Sequence, residues 1–304
     1  MSVLVFAGLA AAGATAWYGL PGVCLPVLRA GHRATARLSA HRIRVGSHEV
    51  HYLAGGRGDT VLLLHGIFGE KDHWNDFARR LTSRYRVIVP DLPGFGASSR
   101  LASERYDYAS QVERLEQFVE ALGLPELHVA GSSMGGTLAA LLALRRPEQV
   151  RSVAFVGAPH GLRTVRPSVM DSLIDAGRAP LVPRSRAEFA SMLRLLFKRP
   201  PFLPYPVLHG ARTQAIALAD SNLRIWSEQL EDRYLLEQRL GELRKRTAVF
   251  WGESDQLFDV SGVLSIRRLL PGASTYVLPG VGHLPMMEAP SQTARMYAQF
   301  LLAA

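Results

Sequence analysis

Apolar and polar positions along this chain recur with two periods, and the change from one to the other marks its elements. Residues 49–53 alternate apolar and polar, which predicts a half-buried strand. The turn Gly55-Gly56-Arg57-Gly58-Asp59 follows, then the wholly apolar run Val61-Leu62-Leu63-Leu64, the pattern of a strand covered on both faces. A helix is expected over 71–81 and a strand at 87–89. Ser110-Gln111-Val112-Glu113 reads as a capping box opening a helix whose apolar face is Val112, Leu115, Val119 and Leu122, stopped at Gly123. Next come a strand at 127–130, a helix from Thr137 and a strand at 150–156. Strand alternating with helix implies an α/β protein, with a mostly parallel sheet and helices on both faces.

From 160 to 246 the rhythm breaks. Prolines cluster among apolar helical stretches such as 189–197, and no strand pattern appears. This segment is expected to be a helical cap inserted between two strands. The alternation resumes with a strand at 247–251, a helix near 260–270, a strand at 274–278 and a last helix from Ser291. The expected core is therefore 48–159 with 247–304, and the cap 160–246.

The amino terminus has a different character. Residues 1–28 carry no charged side chain, and 3–20 are apolar apart from small residues, Thr15 and Tyr18, long enough to span a bilayer. Pro21-Gly22 interrupts the run, and Trp17 and Tyr18 sit where an interfacial aromatic belt falls. Arg29, Arg33, Arg37, Arg42 and Arg44 follow before the first acid, Glu49. The expectation is a membrane anchor over 1–28, a basic juxtamembrane segment over 29–47 and a single pass, with the remainder facing the cytoplasm. A cleaved signal peptide and a buried helix are the alternatives; the former normally has basic residues before its apolar core, absent here.

Composition adds two constraints. One cysteine in 304 residues, Cys24, excludes an internal disulfide. The net charge of +9, mostly arginine, fits attraction to an anionic membrane or simply a basic surface; no basic-aromatic module points to nucleic acid.

Candidate chemistry centres on Gly131-Ser132-Ser133-Met134-Gly135, a Gly-x-Ser-x-Gly motif between an expected strand and an expected helix. That context makes a nucleophile elbow, with Ser133 on a strained turn. A serine hydroxyl needs a histidine to take its proton, and the histidine needs an acid to orient it. In elbow proteins the acid and then the histidine follow on loops after later strands. Trp251-Gly252-Glu253-Ser254-Asp255 offers the acid. Asp255 is preferred over Glu253 and over Asp259, whose other role is to cap the next helix. Gly280-Val281-Gly282-His283 offers the histidine; of ten histidines, His283 alone follows the final strand on a glycine loop. An oxyanion needs two N–H donors. Met134, at a helix N-terminus, is one, and Ile67 of His65-Gly66-Ile67-Phe68-Gly69 the other, with Phe68 as its alternative. His65 is expected to hold that loop and Asp91 to be structural.

With these residues in place, the chain from about 48 onward resembles the α/β-hydrolase superfamily. Within it, the chain is similar to membrane-anchored monoacylglycerol lipases of the α/β-hydrolase-domain-containing group and to related bacterial lipases. The likeness rests on His65-Gly66 with Lys71-Asp72-His73-Trp74, Ser133-Met134-Gly135-Gly136, Trp251-Gly252-Glu253-Ser254-Asp255-Gln256 with Asp259-Val260-Ser261-Gly262, and Pro180-Leu181-Val182-Pro183 with Ser191-Met192-Leu193. Ile67 departs from the phenylalanine common in such enzymes, which bears on acyl-pocket shape. The resemblance implies an α/β-hydrolase fold and hydrolysis of a lipid ester through an acyl-enzyme on Ser133, without metal or cofactor. It also implies an amino-terminal anchor and a cytosolic catalytic domain. Phe68, Leu193 and Phe197 are the expected substrate-binding residues, and Leu195, Leu196, Phe202 and Leu203 would suit an acyl chain or ordinary core packing. Arg194, Lys198 and Arg199 could meet lipid headgroups or water. A short-chain carboxylesterase and a C–C bond hydrolase of ring-cleavage products are the competing enzymes, and a non-catalytic membrane adaptor the competitor from outside enzymes.

Overall fold

The structure is a computed structural model that describes residues 17–303. The first sixteen residues, most of the expected anchor, lie outside the described residues. Helix α1 (Pro21–Thr35) leads into strands β1 (Ser39–Val45), β2 (His48–Gly55) and β3 (Thr60–Leu64). A 3₁₀ turn at Lys71–Trp74, helix α2 (Asn75–Ala78), β4 (Arg86–Pro90), α3 (Tyr108–Ala121), β5 (Leu127–Ser133), α4 (Met134–Arg145) and β6 (Val150–Pro159) follow. Five helices come next: α5 (Val169–Asp175), α6 (Arg186–Leu196), α7 (Tyr205–Ala217), α8 (Ala219–Leu230) and α9 (Leu235–Arg239). The chain then returns through β7 (Arg246–Gly252), α10 (Gly262–Leu269), β8 (Ser274–Leu278), α11 (Pro285–Glu288) and α12 (Pro290–Leu302).

Eight strands form one sheet in the order β1-β2-β4-β3-β5-β6-β7-β8. The β1–β2 and β2–β4 pairs are antiparallel and every other pair is parallel. Strand periodicity divides the core into two layers. Leu62, Leu64, Val129, Phe155, Val249 and Trp251 face one layer with α3 and α4. Val61, Leu63, Ala130, Ala154, Ala248 and Phe250 face the other with α2 and α12. Helices on both faces are why β3 and β5 are buried along their whole length.

Four expectations need correction. The sheet begins at Ser39, not near 48: β1 lies within the expected juxtamembrane segment and pairs along its length with β2. Its arginines stay exposed because it is an edge strand, where charge blocks further pairing. The expected anchor boundary at 28 falls inside α1, which continues to Thr35. Among the described residues, no helix is long and apolar enough to cross a membrane. The expected 71–81 helix is a 3₁₀ turn and one helical turn, because Asp91 takes both the Lys71 backbone N–H (2.6 Å) and its buried ammonium and fixes the first turn. Finally, α3 starts at Tyr108 and its cap is Asp107, which accepts from Ser110 N–H at 2.9 Å.

Candidate active site

The elbow's geometry follows from what its glycines permit. β5 ends on Ser133 and α4 begins on Met134. Ser133 has φ 53° and ψ −119°, a backbone region that costs a residue with a side chain about 1–3 kcal/mol. A Cβ on Gly131 would lie 2.0 Å from Gly135 O, and one on Gly135 would lie 2.4 Å from Leu64 O. Only hydrogen at both positions lets the turn close against β3.

Leu64 feeds directly into the second loop of the site. A Cβ on Gly66 would be 3.2 Å from Ser133 Cβ, so the 65–68 segment lies against the elbow. His65 is fully buried and holds that segment. Its Nδ1–H donates to Gly66 O (2.7 Å) and its Nε2 accepts from Leu92 N–H (3.0 Å), which defines a neutral tautomer. Burial pushes its pKa down to about 4, so it stays neutral near pH 7. Phe68 takes φ 56°, also left-handed. Among the described residues, the backbone N–H groups of Ile67 and Met134 donate to no protein acceptor. Met134 N–H, at the first helical position, has no partner within α4 by construction.

Asp255 and His283 meet across two loops separated in sequence. His283 Nδ1 donates to Asp255 Oδ2 at 2.8 Å, with both side chains buried. Asp255 Oδ1 accepts from Leu257 N–H (2.9 Å) and Phe258 N–H (3.0 Å), so the carboxylate is held from both sides. The two competing acids are engaged elsewhere. Glu253 accepts from Gly280 N–H at 3.1 Å. Asp259 accepts from Ser261 N–H at 2.8 Å and from Arg166; the N-cap position of α10 is held by Ser261, two residues beyond the expected Asp259, and its side chain makes no capping hydrogen bond. Asp91 is wholly buried against Lys71 and Ala97 N–H, away from this pair.

Ser133 and His283 line one cavity of about 180 Å³. Ser133 Oγ makes no hydrogen bond to any described residue, the His283 imidazole included. Such contacts are often loose without substrate. Ile67, Phe68, Leu193 and Phe197 line the same cavity, as do Leu196 and Leu203. Phe202 does not; it is 90% exposed, on the stretch between α6 and α7. Leu195 packs against the core instead. Leu181, Phe189, Met286 and Met287, which the sequence did not single out as pocket residues, also line the cavity. A second cavity of about 20 Å³, room for about one water, touches Ser133, Met134 and Ile67 from another side. Its wall includes Tyr108 and His160, joined at 2.5 Å. Burial lowers the His160 pKa to about 4 and raises that of Tyr108, so the pair is neutral. Among the described residues no cluster of side chains could hold a metal ion.

Comparison with known proteins gives consistent relatives. A family described as the alpha/beta hydrolase fold matches residues 59–290. Monoacylglycerol lipase abhd6-B of Xenopus laevis is 30% identical over 270 residues, 84% of this chain and 80% of that protein. Lipase 1 of Psychrobacter immobilis is 32% identical over 247 residues, 80% of this chain and 77% of that one. Among solved structures, a membrane phospholipase A described as a bacterial virulence factor superposes with a TM-score of 0.90 at 38% identity, covering 99% of this chain and 97% of that one.

Proposed function

The chain belongs to the α/β-hydrolase fold family, and on that premise we propose that it is a serine ester hydrolase acting on lipids, a monoacylglycerol lipase with Ser133 as nucleophile. The observation that carries this reading is the convergence of a strained Ser133 and an Asp255-held His283 on one apolar cavity. Lipase and monoacylglycerol lipase relatives support the substrate class.

Attack begins when His283 Nε2 takes the Ser133 proton and Oγ adds to the ester carbonyl. Asp255 keeps Nδ1 protonated and stabilises the imidazolium. The oxyanion accepts from the N–H groups of Ile67 and Met134, neither of which donates to a protein acceptor among the described residues, with the α4 dipole behind the second. The tetrahedral adduct expels the alcohol, which takes the proton from His283, and leaves an acyl-Ser133. Water, deprotonated by the same imidazole, then adds to the acyl carbon; collapse releases the fatty acid and restores Oγ–H. The acyl chain would lie along Phe68, Leu193 and Phe197, beneath a cap formed by residues 160–246.

Membrane attachment belongs to the same proposal. Residues 1–28 lack charge, and Leu20, Val23 and Val27 are exposed around the start of α1. The 38%-identical structural relative is itself described as a membrane enzyme. An anchor formed by these residues, with the rest of the chain facing the cytoplasm, fits the arginines that follow. The same relative favours a second substrate, the acyl ester of a phospholipid.

Incubation with a fluorophosphonate probe tests the chemistry: the expected result is one adduct at Ser133, abolished in Ser133→Ala together with ester hydrolysis, a loss of 10³-fold or more. An unlabelled wild type would sink the proposal. A panel of mono-, di- and triacylglycerols, phosphatidylcholine and acetyl esters in micelles then separates the substrates. Preference for acetyl over decanoyl esters would favour a short-chain carboxylesterase.

A further inference from the structure

The loop that carries His283 is fastened to the helical insertion through its backbone. His283 N–H donates to Leu196 O, at the end of α6, at 3.0 Å. Glu288, at the end of α11, gathers three more backbone donors from the same two segments. Its Oε2 accepts from Gly282 N–H (2.8 Å) and Lys198 N–H (3.2 Å). Its Oε1 accepts from Arg199 N–H (2.8 Å), with a longer contact from Gly282 N–H (3.2 Å). The two segments approach so closely that a Cβ on Gly282 would lie 2.7 Å from both Lys198 N and Glu288 Oε2. A clasp holding only a surface turn would do no more than stabilise it. Here both joined segments face the cavity of Ser133: His283 on one side, Leu196 and Phe197 on the other.

We infer that Glu288 is a positioning residue that sets the His283 imidazole and the acyl-chain wall as a single unit. This rests on the reading of Ser133 and His283 as nucleophile and base. Displacing the 282–283 backbone by a fraction of an ångström misaligns proton transfer for every ester, whatever its chain length. Releasing residues 196–199 also lets the wall spread and blunts chain-length discrimination.

Glu288→Gln is a near-isosteric test, because N–H groups approach both carboxylate oxygens. Whichever way the amide turns, its NH₂ faces a backbone donor. With butanoyl and decanoyl 4-nitrophenyl esters, kcat is expected to fall about tenfold or more on both, and the decanoyl preference to shrink. Fluorophosphonate labelling should slow in step, while the thermal midpoint stays within a few degrees. Unchanged kcat and labelling would show that Glu288 only braces a turn and would overturn the inference. A change confined to KM for the decanoyl ester would overturn it too, since the wall alone would then depend on the clasp. Should the glutamine variant fail to fold, Glu288→Asp carries the same test. Its shorter carboxylate keeps the charge but cannot span both segments, so an intermediate kcat is expected and a wild-type kcat would count against the clasp. A wild-type enzyme that fluorophosphonate does not label would overturn the underlying reading and the inference together, which separates that failure from a failure of Glu288 alone.

Discussion

At the scale of single residues, burial keeps those histidines neutral that have no carboxylate beside them. His65 and His128 are both buried, and burial lowers each pKa from 6.5 to about 4. His128 is bonded to Ser152 Oγ at 2.7 Å inside the sheet. Between pH 4 and 6.5 the unfolded chain therefore binds protons that the folded chain refuses, so stability rises with pH across that window and falls on acidification through it. Each group adds a slope of up to about 1.4 kcal/mol per pH unit. Denaturant unfolding at pH 4.5, 5.5 and 6.5 measures that slope. The double variant His128→Leu/Ser152→Ala should flatten it by about 1 kcal/mol per unit, and a wild-type profile already flat would refute the assignment. Ser133 was legible in the sequence because its strain is local, encoded within five residues. The Tyr108–His160 pair was not, since its members are 52 residues apart and neither sits in a motif.

Among elements, α1 shows how a helix with no buried residue can be pinned by ion pairs on one face and stay apolar on the other. Arg29 forms a two-bonded pair with Glu70 (2.6 and 2.9 Å), and Arg33 does the same with Asp72 (2.7 and 2.6 Å). Both acids follow directly on the Ile67 loop, so α1 braces the expected oxyanion donor. Burial would raise the Asp72 pKa, but the Arg33 guanidinium and its hydrogen bonds more than offset it and hold the carboxyl below its usual value. Arg33→Ala leaves that shielded carboxylate with Asn75 as its remaining side-chain hydrogen-bond donor. It should cost about 2 kcal/mol in urea unfolding. In a double-mutant cycle Arg33→Ala and Asp72→Asn should couple by about 1 kcal/mol or more; additive losses would mean that the pair braces nothing. The opposite face exposes Val23 and Val27, at 68% and 72%. β1 escaped the sequence reading for a related reason: its arginines made it look like a basic linker, and only pairing with β2 reveals a strand.

For the whole molecule, the arrangement predicts how attachment and chemistry separate. If the amino-terminal segment is an anchor, the full chain should float with vesicles containing anionic lipid. A chain lacking 1–20 should remain in solution yet hydrolyse a soluble butanoyl ester at a similar rate, because the proposed catalytic groups lie far along the chain. Flotation of the shortened chain, or no flotation of the full one, would reject the anchor. Outside β1 and the 71–81 stretch, the alternation of strand and helix in the core was readable because hydrophobic periodicity reports burial residue by residue, and burial on two faces of a parallel sheet leaves an unmistakable apolar run. The turns that carry Ser133, Asp255 and His283 were readable because a glycine lies within three residues of each, a local requirement of sharp turns. Tertiary structure alone decided what touches what: where α1 rests, which cap residues reach the cavity, why Phe202 faces solvent and Leu196 does not, and how Glu288 reaches Lys198, 90 residues away. Such contacts depend on distances between remote parts of the chain. The pattern of a sequence records only how deeply each residue is buried and how its neighbours turn.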